Sequence, residues 1–342
     1  DITRGEMAGE NGSKANGQKK AARTAEEDSP GIVGMGSVIA VGVYILCSSA
    51  MLIVNKQAVK ALPYPFVVSA MQLFASALFA VMLRGLGQVS FPNPTVSKMW
   101  GWKGILLAWV VPILLNMKAM RLVSVETMMM FRSVATVAVA AGDTLLLGTE
   151  LSPRKLFSCV VISLGGLIYA QNDLQFDLAG YIWGGCYALS MVVNTVYIKH
   201  SFNQLKDMGA WEKTFLNNLL ATPLVLSLAY GNEGLEMVAQ RLVTMEIGGA
   251  TVVLLSCVMG LGISLSGTKC RDVLTATSFD VLGNCTKYLT LGMSYLLGSS
   301  TSAGSYIGVL IALTGCALYS PAGELLLKGV GAVTGVGKNK TA

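Results

Sequence analysis

The sequence predicts an all-α membrane protein in which ten transmembrane helices form two inverted repeats of five. Three observations support this prediction. Hydrophobic residues make up 53% of the 342 residues and charged residues only 13%, whereas a soluble domain usually has about 25% charged residues. Apolar runs of about 20 residues, the length that crosses a bilayer, recur along the chain. Those in the second half follow those in the first at a spacing close to 150 residues.

Two polar tails flank the predicted helical region. Residues 1–30 carry mixed charge and no apolar run, so they predict a disordered cytosolic tail and not a secretory signal peptide. The first five-helix repeat is predicted over 31–172 and the second over 173–320. Residues 321–342 form a second cytosolic tail in this interpretation.

The apolar runs give the positions of the ten predicted spans. They lie near 33–54, 64–83, 103–119, 124–147, 154–172, 178–199, 214–231, 247–268, 273–298 and 301–320.

A repeat between the two halves is visible in the sequence itself. Without gaps, 123–169 matches 273–319 at ten of 47 positions. Because each half holds an odd number of spans, the halves must be inverted relative to one another, as is common in carriers. Repetition of helices for packing alone is the alternative.

The basic residues predict the orientation. The loops on the side of both termini hold 18 lysines and arginines and the opposite loops hold five. By the positive-inside rule both termini face the cytosol. The basic residues are spread over short loops and form no patch, so a nucleic-acid partner is excluded. Two remain inside spans: Arg132 and Lys287.

The ninth span carries polar residues at helical spacing. Thr277, Asp280, Asn284 and Lys287 share one face, with Gly283 beside them. A charge at the centre of a membrane helix costs about 2.5–3.5 kcal/mol on insertion scales, so Lys287 needs a partner. An anion that passes through the protein would be one. Internal pairing with Asp280 or Asp143 is the alternative.

The fourth span has a matching face with Arg132, Thr136 and Asp143. If spans four and nine are repeat mates, two cationic faces meet at the pseudo-twofold axis. Arg132 would then help Lys287 to bind phosphate groups. Its internal alternatives are Glu126 and Asp143.

Uncharged polar stripes in other spans predict a central cavity. They include Tyr44 in the first span and Asn217 and Asn218 in the seventh. Aromatic and amide side chains suit a base and a sugar, although such residues also bridge helices.

Nothing in the sequence indicates an enzyme, a cofactor or a metal. The single histidine has no nucleophile at a suitable spacing, and there is neither a phosphate-binding glycine loop nor a cysteine pair with zinc spacing.

Three stretches resemble a known family. SSAMLIVNKQAVKALPYPFVVSAMQL (48–73), SVETMMMFRSVATVAVAAGDTLLLG (124–148) and TGCALYS (314–320) are similar to the nucleotide-sugar transporter and triose-phosphate translocator group of the drug/metabolite transporter superfamily. The resemblance extends over most of 33–320. It implies a carrier that works by alternating access.

Two motifs narrow the resemblance to transporters of GDP-sugars. TFLNNLLATPL (214–224) is similar to the family's Phe-Tyr-Asn-Asn motif, which implies guanine recognition by Asn217 and Asn218 beside Phe215. The family's Gly-Ala-Leu-Asn-Lys motif appears as GNCTK, which keeps only Gly283 and Lys287. This position implies contact with the sugar and phosphate. Tyr288 follows Lys287 where triose-phosphate translocators carry a second cation, which favours a nucleotide sugar.

The combined prediction is exchange of a cytosolic GDP-sugar, such as GDP-mannose, for lumenal GMP. Lys287 and Arg132 would bind the phosphates, and Gly283, Asn284 and Tyr44 would lie near the sugar. The full predicted site is Lys287, Gly283, Asn284, Asn217, Asn218, Phe215, Arg132, Tyr44, Phe279 and Ser264. The alternatives are an antiporter of another nucleotide sugar or phosphorylated organic anion, and a non-transporting membrane scaffold.

The C-terminal KNKTA places Lys340 third and Lys338 fifth from the end, as in cytosolic retrieval signals. This pattern predicts a Golgi membrane protein that cycles through the endoplasmic reticulum and has the COPI coat as a candidate partner. A solvated basic tail is the alternative. The other predicted partners are the bilayer, a nucleotide sugar, a nucleoside monophosphate and, as a candidate, a second copy of the chain.

Overall fold

The computed structural model describes residues 35–119, 122–171, 177–233, 235–296 and 303–320. The chain divides into two compact units, 1–39 and 40–342. The described part of the first unit is the start of helix α1, and the contacts of the site lie in the second.

Twelve helices make up most of the described residues. They are α1 (Met35–Ala61), α2 (Pro65–Gly85), α3 (Val96–Gly101), α4 (Lys103–Ala119), α5 (Val125–Leu147), α6 (Pro153–Ala170), α7 (Leu178–Gln204), α8 (Ala210–Glu233), α9 (Leu235–Val243), α10 (Ile247–Val273), α11 (Ala276–Leu296) and α12 (Ala303–Tyr319). The described ranges contain no strand, which confirms the all-helical class.

Each predicted span overlaps one of the long helices, but several helices continue past the apolar run. The first span was predicted to end at 54 and the eighth at 268, whereas α1 ends at Ala61 and α10 at Val273. Five helices in the described ranges are long and apolar enough to cross a membrane: α1, α2, α5, α6 and α10. The chain therefore has the helices of a membrane protein, and the ten spans and their inverted arrangement stay predictions.

Helices predicted to be repeat mates pack against each other in three cases. These pairs are α2 with α8, α5 with α11 and α6 with α12. In the last pair the backbones approach closely at glycines. A Cβ built on Gly165 would lie 2.5 Å from the Ala312 backbone nitrogen, and one on Gly308 would lie 2.4 Å from that of Tyr169.

Carboxylates at the ends of two helices cap the first turns of others. Asp143, near the end of α5, accepts hydrogen bonds from the backbone N–H and hydroxyl of Thr277 at the start of α11, at 2.8 and 2.7 Å. Glu233, the last residue of α8, accepts from the N–H groups of Phe66 and Val67 in α2, at 2.7 and 3.0 Å. Both carboxylates satisfy donors that a helix start leaves without intrahelical partners.

Helix α10 meets α1 through glycines. Side chains of α1 lie within 3.3 Å of where the Cβ atoms of Gly249, Gly262 and Gly267 would be, and the closest is the Cys47 sulfur, 2.6 Å from a Cβ built on Gly262. The two helices therefore approach without side-chain ridges from this face of α10 between them.

Candidate functional site

A cavity of about 190 Å³ lies among six of the helices. Its walls combine aromatic rings, two arginines, one carboxylate and one amide. The lining residues are Tyr44, Trp109, Pro112, Ile113, Arg132, Met191, Asn194, Thr195, Arg271, Phe279 and Asp280. Three residues predicted for the site, Tyr44, Arg132 and Phe279, are among them.

The seam between α5 and α11 orients Arg132. The Nε of Arg132 donates to Oδ1 of Asn284 at 2.9 Å. The Nδ2 of Asn284 donates to the Thr136 hydroxyl at 2.7 Å and to Asp280 Oδ2 at 3.2 Å. Because its amide donors are used in this way, Asn284 presents its oxygen to the guanidinium. The predicted meeting of the polar faces of α5 and α11 is therefore seen.

Asp280 belongs to the same network and makes no ion pair in the described part of the chain. Its Oδ2 accepts from the Thr136 hydroxyl at 2.7 Å, and the residue is 3% exposed. Arg132 and Asp280 are thus linked through Asn284, and the Tyr187 hydroxyl is a further hydrogen-bond partner of the Arg132 side chain.

Asp143 is separate from this cavity. Its Oδ2 caps Thr277 and its Oδ1 accepts from the Thr149 hydroxyl at 2.8 Å. The alternative in which Asp143 neutralises Arg132 or Lys287 is therefore wrong, because the described partners of Asp143 are Thr277 and Thr149 and it forms no ion pair with either cation in the described ranges. The Glu126 side chain lies outside the described residues.

Gly283 gives the Arg132 guanidinium room to lie against α11. A Cβ built on Gly283 would be 2.8 Å from Arg132 Nη2 and 3.9 Å from the Tyr44 hydroxyl oxygen. The Tyr44 ring also contacts Phe279, with 5.5 Å between ring centroids. Any larger residue at 283 would displace the guanidinium.

Lys287 lies one helical turn beyond Gly283 on the same face of α11. It is partly buried, and within the described ranges its ammonium has neither a hydrogen bond nor an ion pair. Arg132 is near enough for its charge to act on the ammonium. The alternative pairing of Lys287 with Asp280 is not found in the described ranges, where the partners of Asp280 are Thr136 and Asn284.

The residues of the seventh-span motif lie elsewhere. Asn218 is 1% exposed and exchanges two hydrogen bonds with Ser264, at 2.9 and 3.1 Å. Phe215 packs on Phe91 with ring centroids 5.2 Å apart. Asn217 is partly buried and has no partner in the described ranges. The structure does not bring these four predicted site residues, Phe215, Asn217, Asn218 and Ser264, to the described lining of the cavity.

Sequence reasoning missed Arg271 as a lining residue. The eighth apolar run ends at 268, so Arg271 was assigned to a cytosolic loop, but α10 continues to Val273. A signal existed in the spacing of Ser264, Gly267 and Arg271, which continues one face of that helix for two turns.

A model of the Triose-phosphate Transporter family matches residues 35–320, most of the chain. The chain belongs to the Triose-phosphate Transporter family. Membership confirms the resemblance found in the sequence. Because the members of this family are transporters, membership also confirms the prediction that the chain is not an enzyme.

Three named transporters are between 24% and 31% identical to the chain over the aligned residues. It is 31% identical to "GDP-mannose transporter GONST3" of Arabidopsis thaliana, over 81% of this chain and 76% of that one. It is 28% identical to "GDP-fucose transporter 1" of the same plant, over 74% and 76%. It is 24% identical to "GDP-mannose transporter" of Yarrowia lipolytica, over 70% and 78%.

A known crystal structure has the same fold. It superimposes with a TM-score of 0.63 at 15% identity and covers 83% of this chain and 97% of its own. At this identity the likeness concerns the fold alone.

Proposed function

We propose that this chain is a nucleotide-sugar transporter that moves a GDP-sugar, GDP-mannose or a related one, across the Golgi membrane. It takes the GDP-sugar from the cytosol and returns lumenal GMP by alternating access. Membership in a transporter family and the printed names of its relatives support the substrate class. The observation that carries the proposal concerns Lys287. This residue has no partner in the described ranges and lies within electrostatic range of Arg132, which lines an aromatic-walled cavity.

Lys287 and Arg132 bind the phosphates in this proposal. A buried ammonium without a counter-ion has lost hydration and gained nothing in return. A phosphate offsets that loss with charge-assisted hydrogen bonds, and the guanidinium of Arg132 adds two parallel donors. Asn284 acts through Arg132, whose Nε it fixes.

The remaining contacts come from two sources. Tyr44 and Phe279, whose rings touch, together with Trp109 give apolar faces for a base or a sugar ring. Asn217 is the proposed guanine-recognising residue, since its amide has no described partner. Phe215, Asn218 and Ser264 act indirectly, by holding α8 against α2 and α10.

The cavity must widen when it binds such a ligand. Sites for ligands of comparable size have volumes of about 300–1,000 Å³, against about 190 Å³ here. Widening is inherent in a carrier whose helices rearrange about a site at the membrane midplane during alternating access.

Exchange follows from the unpaired charges. An empty cavity resists closing because its cations lose solvent without gaining an anion, and a bound phosphate removes that penalty. Either GDP-sugar or GMP supplies the phosphate, so a ligand is transported in each direction of the cycle.

A thermal-stability screen of the purified protein tests the substrate class. A ligand at a hundred times its dissociation constant stabilises the folded state by about 2.7 kcal/mol. GDP-mannose and GMP should raise the melting temperature, and UDP-sugars and UMP should raise it much less. If no anion stabilises the protein, the chain is a scaffold and not a carrier.

Exchange is tested in proteoliposomes with labelled GDP-mannose outside. Vesicles loaded with GMP should take up label much faster than empty ones. Equal rates in both preparations would contradict exchange.

One competing function remains in the same class. GDP-fucose appears in the name of a relative, and another phosphorylated anion would meet the same cations. The same screen separates these candidates, because the preferred ligand gives the largest shift. The Golgi location and cytosolic termini rest on the sequence, since Lys338 and Lys340 lie outside the described residues.

A further inference from the structure

The last turn of α10 places the side chain of Arg271 in the cavity wall. Its guanidinium carbon lies 4.4 Å from the centre of the Phe279 ring. Within the described ranges the guanidinium has no hydrogen bond and no ion pair. Stacking on the ring fixes the plane of the group and leaves its N–H donors free at the edge.

The backbone of this turn is held from the opposite side. Lys199 Nζ donates to the carbonyl oxygens of Arg271 at 3.0 Å and Asp272 at 3.1 Å. The Asp272 carboxylate forms an ion pair with Lys213, which is 2% exposed as a side chain. The nearest carboxylate along the chain is therefore already used, and Arg271 is positioned by a rigid helix end.

Arg271 and Arg132 face one cavity and lie within electrostatic range of each other. Two like charges in a confined space repel. The one carboxylate in the lining, Asp280, lies within electrostatic range of both arginines but can offset only one of the two charges. A ligand with two adjacent anionic groups would neutralise both arginines at once. A diphosphate has that charge and that spacing.

We infer that Arg271 is a further phosphate-binding residue of the transport site, beside Lys287 and Arg132, and sets its preference for a nucleoside diphosphate group. Arg132 and Lys287 bind one phosphate, and Arg271 binds the other through its free N–H donors. This inference rests on the proposed function. The inference extends the proposed function by distinguishing ligands with two phosphates from those with one, since a nucleoside monophosphate reaches only one arginine at a time.

The test compares R271Q with K269Q in the full-length purified protein. Lys269 is an exposed basic residue two positions earlier on the same helix, so K269Q removes an equal charge without touching the cavity. R271K keeps the charge and loses the planar fork. Binding of GDP-mannose and GMP is measured by thermal-stability titration, and the melting temperature without ligand reports on folding.

R271Q should weaken GDP-mannose binding on the order of ten-fold or more, the scale of a lost charge-assisted contact. GMP binding should change much less. R271K should fall between R271Q and the wild type, and K269Q should match the wild type for both ligands. This pattern in variants that melt near the wild-type temperature supports the inference.

Two results would overturn it. R271Q could bind GDP-mannose as tightly as the wild type does, or it could lose GDP-mannose and GMP affinity equally. Should R271Q fold poorly, the same comparison is made with R271K. If the wild type binds neither nucleotide, the proposed function itself fails, which separates the two failures.

Discussion

Two seams between helices use polar residues in opposite ways. Between α8 and α10, polar groups pair with each other: Asn218 with Ser264, and the Thr214 hydroxyl with that of Thr268 at 3.0 Å. Around the cavity between α5, α10 and α11, cationic groups outnumber their partners. The first seam is closed by its own hydrogen bonds, whereas the second has cationic groups without described partners, and the proposed anion would supply the partner. Polar residues inside apolar helices therefore divide into packing residues and binding residues according to what faces them.

Removing Lys287 should have the largest effect. Lys287→Ala should lower GDP-mannose/GMP exchange in proteoliposomes by about a hundred-fold or more, because several charge-assisted bonds to phosphate are lost. The melting temperature should stay near that of the wild type, since the ammonium has no described partner to lose. Lys269→Ala serves as the control. Retained exchange in Lys287→Ala would remove this residue from the site.

Asp143→Ala should act in the opposite way, on stability and not on recognition. It removes the acceptor for the N–H and hydroxyl of Thr277, at about 1–3 kcal/mol for a buried donor left unsatisfied. The melting temperature should drop by several degrees while the ratio of GDP-mannose to UDP-sugar binding stays constant. Glu150→Ala, at an exposed carboxylate in the following loop, should leave the melting temperature unchanged. A changed ligand preference in Asp143→Ala would mean that this residue also contacts the substrate.

Gly283→Ala and Gly292→Ala compare a glycine that faces Arg132 with one that does not, within the same helix α11. The added methyl group would lie 2.8 Å from Arg132 Nη2, so the guanidinium must move and nucleotide binding should weaken by about ten-fold, a loss of about 1.4 kcal/mol. Gly292→Ala on the same helix is the control, because the nearest neighbour of its methyl group would be Val309 Cγ1, at an ordinary contact distance of 3.8 Å. Equal titration curves for the two variants would show that the position of Arg132 does not matter.

The smallest effects are expected from two adjacent asparagines. Asn217→Ala should reduce the preference for GMP over UMP by several-fold, because a free amide can bond to the guanine edge. Asn218→Ala should instead lower the melting temperature, by an amount equivalent to about 1–2 kcal/mol, since it breaks the reciprocal pair with Ser264. Competition binding with GMP and UMP separates the two. A loss of guanine preference in Asn218→Ala alone would reverse their proposed roles.

The sequence predicted the helices well because apolar runs report directly on burial in lipid. It placed the ends of α1 and α10 several residues too early, since a helix continues after its apolar run has stopped. Helical spacing correctly predicted that Asp280 and Asn284 would meet the Arg132 face. Spacing cannot show which helix lies opposite a given face, so the sequence groups Asp143 with the charged site. The apolar run ends at 268, so the sequence places Arg271 in a loop and not in α10. The guanine role predicted for Asn218 rests on the sequence motif alone. The structure indicates a packing role instead, because Asn218 is hydrogen-bonded to Ser264.

The carboxylate caps limit how the protein can move. Separating α5 from α11 at Asp143, or α8 from α2 at Glu233, would leave backbone donors without their acceptor, at a cost of about 1–3 kcal/mol for each donor that stays buried. Each of these helix pairs must therefore travel as one rigid piece. We expect sliding to be easiest where the glycines of α10 face α1, because these glycines have no side chains that interlock with α1.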